Sequence, residues 1–243
     1  AGSTVYLLPG TYILNDTLLL KSNLRIVGAG VGITKLQLKA NSNKAAFGNA
    51  VGVAMTNVEI ANMTIDGNGS NQTSGFALIG SNGINGLWLH DLQVINSREY
   101  CIGLQHGGHI NVFIHNVLIE NCRRDGIDIK NENNNNQGVV ISNVTIKNPG
   151  MTLGSQVGEV GSACIDIRGP VKLTNIFCEG INVDQDGVRF HRDETGPVAT
   201  CVVAFCQGGE ESSLSGFHVT GTGTGAGVRV RDSSITVSNG FVN

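Results

Sequence analysis

An asparagine returns once in each hydrophobic repeat of this chain, at the point where the two faces of a strand exchange places. The apolar side chains at 110, 112 and 114 fall on even positions together with Asn116, and the apolar row then continues at 117 and 119. Because side chains in a strand alternate between faces, this change of parity requires a sharp bend. Asparagine suits such a bend, since it tolerates left-handed backbone angles. The clearest repeats are residues 58–65, 87–94, 112–119, 139–146 and 171–178, and weaker copies follow at 214–219 and 235–239.

The spacing of these corners indicates a solenoid. The corner residues are Asn62, Asp91, Asn116, Asn143 and Asn175, which are 29, 25, 27 and 32 residues apart. Repeats of this length cannot bury an apolar face alone and must stack on their neighbours. The strands are short and rich in Val and Ile, with no helix-period segment between them. We therefore predict an all-β fold, a single right-handed parallel β-helix of roughly seven to nine coils, with the corner side chains stacked as an internal ladder.

The composition favours one domain over residues 1–243. Aromatic residues make up only 5% of the chain, and no change in composition marks a second domain. The sequence enters a strand at once, so we expect the domain to lack an N-terminal cap. Both ends of such a solenoid would expose unpaired backbone. The chain is therefore expected to be part of a longer polypeptide or to associate as a homo-oligomer.

Charge and cysteine content limit the partners. The net charge of -3, without a basic stripe, argues against a nucleic-acid partner. No apolar run is long enough to span a membrane. Six cysteines lack metal-site spacing, and most are expected to be free core thiols because Cys178 replaces an apolar residue of the repeat. Cys201 and Cys206 are the best disulfide candidates.

A second strand in each coil carries a concentration of charge. Its second and fourth residues are apolar and should face inward, so the third and fifth should face outward and stack into two columns. We expect these outward residues to lie on a solvent-facing sheet and to pack against nothing. The first column is Ala77, Gly103, Asp128, Asp166, Arg189 and Arg229, and the second is Ile79, Gln105, Lys130, Arg168, His191 and Arg231. Two interpretations are open: a salt-bridged surface that keeps the sheet soluble, or a binding and catalytic groove for an acidic polymer, which the crowded charges favour.

Parts of the sequence resemble a known superfamily. The segments 2–12, 24–30 and 62–68 are similar to the start of pectate-lyase-like right-handed parallel β-helix proteins, which include polysaccharide lyases, hydrolases, epimerases and viral depolymerases. Residues 63–75 and 100–106 also resemble catalytic modules of mannuronan C5-epimerases, which carry a Tyr-x-x-Asp-x-His pattern. Here Tyr100 is present, Gly103 replaces the Asp, and His106 is one position late. Asp125-Gly-Ile-Asp128 is similar to the Asp-Gly element of polygalacturonases.

The resemblance and the charged columns together predict action on an acidic, uronate-containing polysaccharide by a lyase or C5-epimerase. Such an enzyme must neutralise a carboxylate, remove the C5 proton and protonate the leaving oxygen. Two alternatives stay open: a glycoside hydrolase of polygalacturonase type, or a non-catalytic carbohydrate-binding or virion-fibre solenoid. The resemblance implies a secreted, extracellular protein or one on a virion surface. The predicted catalytic residues are Lys130 or His191 as base, Tyr100 or His106 as acid, and Arg168 and Arg189 to neutralise the substrate carboxylate. Substrate would also be bound by Gln105, Arg229 and Arg231. A calcium ion would be held by Asp128 and Asp166.

Overall fold

The fold is a parallel β-helix built from two long sheets, seen in a computed structural model of the chain. The structure describes residues 2–49, 53–81, 83–105, 108–130, 136–155, 157–159, 161–181, 185–191, 212–221, 228–231 and 235–242. Within these ranges there is one short 3₁₀ helix, Gly69–Asn71, and every other element is a strand. No helix in the described part of the chain is long and apolar enough to cross a membrane.

Eight short strands form the first sheet. They are β3 (Leu18–Leu19), β6 (Phe47–Gly48), β8 (Ile79–Ser81), β10 (Ile102–Leu104), β12 (Ile127–Ile129), β14 (Ala163–Ile167), β16 (Asp186–His191) and β18 (Val228–Arg231). They are hydrogen-bonded in sequence order, each parallel to the next. We call this the short-strand sheet.

Twelve strands, most of them longer, form the second sheet. They are β1 (Ser3–Leu7), β2 (Gly10–Leu14), β4 (Leu24–Gly28), β5 (Thr34–Leu38), β7 (Met55–Asp66), β9 (Ile84–Ser97), β11 (His109–Cys122), β13 (Gln137–Lys147), β15 (Lys172–Ile181), β17 (Ser212–Gly221), β19 (Ile235–Ser238) and β20 (Phe241–Val242). Their main order is β1-β4-β7-β9-β11-β13-β15-β17-β19. Successive strands of one sheet are therefore one coil apart, as a β-helix requires. The number of coils stays a prediction, because residues 192–211 lie outside the described ranges.

The long strands bend where the sequence places its corners. Asn62, Asp91, Asn116, Asn143 and Asn175 all have positive φ values, between 52° and 57°. Their strand neighbours are paired in register, so the five residues occupy matching positions in successive coils. A left-handed residue turns the chain while the strands on both sides keep their apolar side chains inside.

The prediction that these side chains lie inside the helix is wrong. Asn116, Asn143 and Asn175 are exposed, and Asn62 and Asp91 are half-buried. The physical reason is that the corner residue lies on the outside of the bend, where solvent rather than core surrounds its side chain. The amides bond along the corner: Asn116 donates to Asp91 at 3.2 Å, and Asn175 donates to Asn143 at 3.0 Å.

Two further asparagine corners were not recognised from the sequence. Asn96 and Asn121 also have positive φ, and Asn121 donates its amide to Asn96 at 3.2 Å. Asn57 and Asn111 mark another corner, at the start of the long strands. Each of these corners lies within two residues of the end of its strand, so too few apolar residues flank it for the change of parity to be visible in the sequence.

The core is made of aliphatic side chains stacked in rows along the helix axis. Each row takes one residue from each coil, because parallel strands in register place like positions side by side. One such row has six consecutive members that are all fully buried. That row is Ile60, Leu89, Ile114, Ile141, Leu173 and Leu214.

The predicted register of the charged strand is confirmed from Gly103 onward. Asp128 lies beside Asp166, which lies beside Arg189, which lies beside Arg229. The alignment of residues 75–79 with this strand is wrong, because Gly80 and not Ala77 lies beside Gly103. Residues 75 and 76 belong instead to a turn, in which Gly75 has a φ of 107°.

The expectation of free core thiols is also wrong for the described cysteines. Cys101 is bonded to Cys122, and Cys164 is bonded to Cys178, with Cα–Cα distances of 5.6 and 6.1 Å. Each bridge joins the beginning of a short strand to a long strand across the thin interior, so the two cysteines could not be paired from their separation in sequence. Cys201 and Cys206 lie outside the described residues.

We expect the corner at position 116 to distinguish sharply between glycine and a β-branched residue. Asn116→Val should lower the free energy of unfolding by about 2 kcal/mol, because a β-branched side chain is strained at positive φ. Asn116→Gly should cost less than about 1 kcal/mol, since it loses only an exposed hydrogen bond. Gly216 already occupies this corner in a later coil, with a φ of 57°. Urea unfolding of the two variants measures the difference, and equal midpoints would contradict this account of the bend.

Candidate functional site

A groove of 770 Å³ opens beside the first strands of the short-strand sheet. Its walls come from turns that precede or follow β3, β6, β8, β10 and β12. Its charged lining residues are Asp16, Lys44, Glu99, Arg124 and Lys130. A groove lined by charged, polar and aromatic residues from several successive coils can accept a ligand that extends across those coils.

A tyrosine and a lysine form the centre of this groove. The Lys130 Nζ donates a hydrogen bond to the Tyr100 hydroxyl oxygen at 2.8 Å. The Arg124 guanidinium donates to the same oxygen at 3.4 Å. The Lys130 Nζ also lies 4.8 Å from the centroid of the Tyr100 ring. The ring of Phe76 stacks on the same Tyr100 ring, with 5.5 Å between the two centroids. One phenolic oxygen therefore has two cations beside it.

The turns before successive short strands bring these groups together. Tyr100 precedes β10 and Arg124 precedes β12, one coil later. The backbone N–H of Arg124 donates to the carbonyl of Glu99, which aligns the two turns. The Arg124 guanidinium also forms ion pairs with the carboxylates of Glu99 and Glu159. These pairs hold the arginine at the edge of the groove.

Three carboxylates lie together beneath the groove. Oxygen atoms of Asp125, Asp128 and Asp166 all lie within 4.8 Å of one another, and all three residues are buried. Burial, followed by repulsion from Asp166 and Asp128, raises the pKa of Asp125 well above its ordinary value. Burial likewise raises the pKa of Asp128, although Lys130 opposes the shift. The cluster therefore binds protons more readily than isolated carboxyls do.

Three cations surround this cluster. Lys130 lies 3.2 Å from Asp128. The Arg168 guanidinium lies 3.9 Å from both Asp128 and Asp166. Arg189 lies 3.4 Å from both Asp125 and Asp166. The acids and bases of the charged columns are thus mutually paired.

Two expectations about the charged columns are therefore wrong. Asp128 is on the outer side of the sheet, as the inward Ile127 and Ile129 require, but it is fully buried because neighbouring side chains cover it. Lys130 and Arg189 do not point freely into solvent. Lys130 packs on the Tyr100 ring, and the Arg189 guanidinium donates twice to the carbonyl of Gly161, at 2.9 Å each. Outward direction in a strand does not ensure exposure when long side chains fold across the sheet.

The carboxylate cluster has the oxygen ligands that calcium prefers. Asp125 adds a third carboxylate to the predicted ligands Asp128 and Asp166. A calcium ion there would compete with the guanidinium groups of Arg168 and Arg189 for the same oxygens. The cluster is large enough for the ion, and its charge is already balanced by protein groups.

The other predicted site residues fall along two parts of the sheet. Gln105 lines the groove and donates to Asp128 at 2.8 Å. Arg229 lies two coils beyond Asp166, is half-exposed, and pairs with Asp186 at 2.8 Å. His191 and Arg231 are paired neighbours at the end of their strands, and their side chains lie outside what the structure describes, as does all of His106.

Several groove residues were not predicted from the sequence. Phe76, Glu99 and Arg124 come from turns, which the strand pattern does not align. Asp125 was noted only through its likeness to the polygalacturonase element. One signal in the sequence could have found the charged residues among them. Pairs of charged residues stand shortly before two consecutive short strands, at Arg98-Glu99 and Arg123-Arg124. Such repetition at the same point of successive coils places the side chains together.

Comparison with solved structures shows the same fold elsewhere. An alginate lyase from a Paenibacillus strain matches all of this chain and 92% of its own length, with 13% identity and a TM-score of 0.54. An endo-xylogalacturonan hydrolase from Aspergillus tubingensis matches all of this chain and 85% of its own, with 16% identity and a TM-score of 0.52. A mannuronan C-5 epimerase A-module from Azotobacter vinelandii matches all of this chain and 91% of its own, with 14% identity and a TM-score of 0.46.

The likenesses to the lyase and the hydrolase show the fold alone, a right-handed parallel β-helix. The predicted superfamily resemblance and fold class are confirmed at that level. No protein-family model matches the chain, and no curated protein matches it significantly by sequence. The function must therefore be argued from the site itself, because fold alone does not specify it.

A buried histidine beside the groove should make stability depend on pH. Burial lowers the pKa of His109 from 6.5 to about 4, and the backbone carbonyls of Leu104 and Lys130 oppose this only in part. The unfolded chain then binds a proton at a higher pH than the folded protein does. The contribution of His109 to stability should therefore fall by about 3 kcal/mol as the pH falls from about 6.5 to 4.

Urea unfolding at a series of pH values measures this dependence on pH. His109→Met should flatten the slope between these pH values, because the variant has no imidazole to protonate. His115→Gln is the matched control, since His115 is exposed on the same strand, and it should keep the wild-type slope. An unchanged slope in His109→Met would show that other groups control acid unfolding.

Proposed function

We propose that this protein is a lyase that cleaves a uronate-containing polysaccharide by β-elimination in the groove around Tyr100. The observation that carries the proposal is the Tyr100 hydroxyl, with the Lys130 Nζ at 2.8 Å and the Arg124 guanidinium at 3.4 Å. A uronate brings a carboxylate next to an acidic C–H bond. One oxygen able to exchange a proton, flanked by cations able to meet a carboxylate, suits both parts of that group.

Tyr100 transfers the protons of the reaction, and Lys130 and Arg124 bind the carboxylate. The Tyr100 phenolate takes the C5 proton, and the electron pair of that C–H bond forms the C4–C5 double bond. The bond from C4 to the glycosidic oxygen breaks, and that oxygen receives a proton from the Tyr100 hydroxyl. Lys130 and Arg124 stabilise the negative charge that develops on the carboxylate. The products are an unsaturated uronate at one new end and an ordinary sugar at the other.

The pKa shifts of the pair imply a rate that rises with pH. Burial opposes protonation of Lys130, but Asp128 and the Tyr100 hydroxyl raise its pKa above the ordinary value, so the ammonium is present at neutral pH. Burial and Asp128 also raise the pKa of Tyr100, while Lys130 lowers it in part. The phenolate that removes the proton therefore becomes more abundant as the pH rises, and activity should increase through the alkaline range.

A hydrolase is less well supported by the same geometry. A glycosidase of this type requires two carboxyl groups that face the sugar. Asp128 and Asp166 are 0% and 5% exposed, and cations cover them. The carboxylates that line the groove, Asp16 and Glu99, are paired with Lys44 and Arg124. Epimerisation shares the first proton transfer but requires a second group to return the proton from the other side of the sugar. Among the described residues of the groove wall, Tyr100 is the only phenol.

Product analysis on alginate, polygalacturonate and a neutral glucan tests the proposal. A lyase produces new ends that carry the ultraviolet absorbance of the unsaturated uronate, and their amount equals that of the new reducing ends. Reducing ends without that absorbance would establish hydrolysis instead. A change of uronate stereochemistry without cleavage would establish epimerisation, and no change in any polymer would leave the binding or fibre interpretation.

A substrate of this class is an extracellular polymer, which is the reason to place the protein outside the cell. A calcium ion at Asp125, Asp128 and Asp166 would supply positive charge beneath the groove. The same product assay after chelation tests this: loss of activity restored by Ca²⁺ alone supports the ion, and full activity after chelation rejects it.

A further inference from the structure

Two aromatic side chains lie side by side on the outer face of the long-strand sheet, away from the groove residues. Trp88 on β9 is the register partner of Phe113 on β11. Their rings are parallel to within 12°, with centroids 6.0 Å apart. We call this pair the aromatic platform.

Both rings of the platform are accessible to solvent. Trp88 is 38% exposed and Phe113 is 37% exposed. Trp88 is the only tryptophan in a chain with 5% aromatic residues, and the core is built from aliphatic side chains. Large aromatic side chains gain the most from burial, so their placement together on an outer face points to a ligand or partner.

Charged residues flank the platform in the same column. The column follows the register of adjacent strands, one residue from each coil. Lys172 at one end is exposed, and Arg25 at the other end is exposed and pairs with Glu59 at 2.7 Å. Five steps of about 4.8 Å give the column a length of about 24 Å. From one end to the other the column is Arg25, Glu59, Trp88, Phe113, Val140 and Lys172.

A second column supplies polar groups beside the rings. His90 and His115 are register partners two positions further along the same strands. His115 shares a hydrogen bond with Ser142 at 2.9 Å, and His90 with Asp91 at 2.8 Å. The platform is therefore a pair of parallel rings with hydrogen-bonding groups along one side, Glu59 one coil away and Lys172 two coils away on the other side.

We propose that the aromatic platform is a second, non-catalytic binding surface for an acidic polysaccharide that runs along the helix axis. Sugar rings present apolar C–H faces, which pack on aromatic rings, and hydroxyl groups at their edges, which bond to the polar column. The spacing between coils is similar to the length of one sugar, so adjacent aromatic rings meet adjacent sugars. Lys172, which is exposed, would meet a carboxylate of the polymer two coils beyond Phe113. The ligand class rests on the proposed function.

The alternative occupant, a second copy of this chain, fits the platform less well. A stable protein interface buries about 1,200 to 2,000 Å² and has an apolar centre without charges. In the platform only two rings are exposed together. A charged residue of the same column follows one coil from Trp88, at Glu59, and two coils from Phe113, at Lys172. A narrow amphipathic strip suits a linear ligand better than a protein surface.

The single tryptophan allows a direct test by fluorescence. Tyr100→Phe serves as the parent protein, since it should not cleave the ligand during a titration. Oligosaccharides of alginate and of polygalacturonate should produce a saturable blue shift of the Trp88 emission, and a neutral glucan oligosaccharide of equal length should produce none. Phe113→Ala in the same parent should weaken the apparent affinity about tenfold, as loss of one aromatic contact implies.

Phe177→Ala is the matched control, because Phe177 is a 42% exposed aromatic on the same sheet but outside the platform. It should leave the titration unchanged. No shift with either acidic oligosaccharide, or an equal shift with the neutral glucan, would overturn the proposal. A dimer in sedimentation experiments that becomes a monomer in Phe113→Ala would also overturn the proposal. A shift in a protein whose wild type cleaves no polyuronate would support the platform while rejecting the proposed lyase, so the two failures are distinguishable.

Discussion

Replacing Tyr100 with phenylalanine is expected to lower kcat on the best polyuronate by about 10²- to 10⁴-fold, with little change in KM. The substitution removes the one phenolic oxygen that exchanges protons with C5 and with the leaving group. The ring remains, so its stacking on Phe76 and the packing of Lys130 on its face remain too. Initial rates of double-bond formation at several substrate concentrations measure the effect.

Tyr6→Phe is the matched control for this variant. Tyr6 is 71% exposed on β1, so loss of its hydroxyl should leave both kinetic constants unchanged. If Tyr100→Phe kept more than about a tenth of the wild-type kcat, proton transfer by Tyr100 would be excluded. A large rise in KM with an unchanged kcat would instead assign the hydroxyl to substrate binding.

Replacing Arg189 with alanine is expected to lower the free energy of unfolding by about 3 kcal/mol or more. The substitution leaves Asp125 and Asp166 facing each other without the guanidinium that lies 3.4 Å from both. It also leaves the Gly161 carbonyl without its two donors. Asp166 keeps the Arg168 guanidinium at 3.9 Å, but a large part of the cost of burying the two carboxylates is no longer offset. Urea unfolding monitored by circular dichroism measures the loss.

Arg229→Ala is the control for this second variant. Arg229 is the register neighbour of Arg189, but its side chain is 51% exposed and it pairs with Asp186. Its removal leaves the buried Asp186 with the Arg189 guanidinium at 3.8 Å, so it should cost less than the loss of Arg189. Equal unfolding midpoints for the two variants would show that the carboxylate cluster does not depend on Arg189.

The regular part of the fold could be predicted because it repeats. Parity in a strand is a strict period of two, so the apolar rows and the shift at Asn116 determine which residues face inward. The same reasoning aligned Asp128 with Asp166 and Arg189, since short strands of equal pattern stack in register. These statements concern direction and neighbours, which the backbone alone determines.

Burial on the outer face could not be predicted in the same way. Asp128 points outward, yet Lys130 and Arg168 fold over it, because their long side chains reach across neighbouring strands. Nor does the sequence show how the turns fold. Phe76 and Arg124 reach the groove from turns of different coils, and no period relates such segments. The site therefore combines a predictable strand with turns that only the structure could place.

The most direct test of the account is a crystal structure of Tyr100→Phe with a tetrasaccharide of the polyuronate that the wild type cleaves. We predict a sugar in the groove whose C5 faces the ring of residue 100. Its carboxylate should lie within about 4 Å of the Lys130 Nζ or the Arg124 guanidinium, the ordinary limit for an ion pair. A tetrasaccharide that instead binds along Arg168 and Arg229, with the groove empty, would contradict the assignment of the active site.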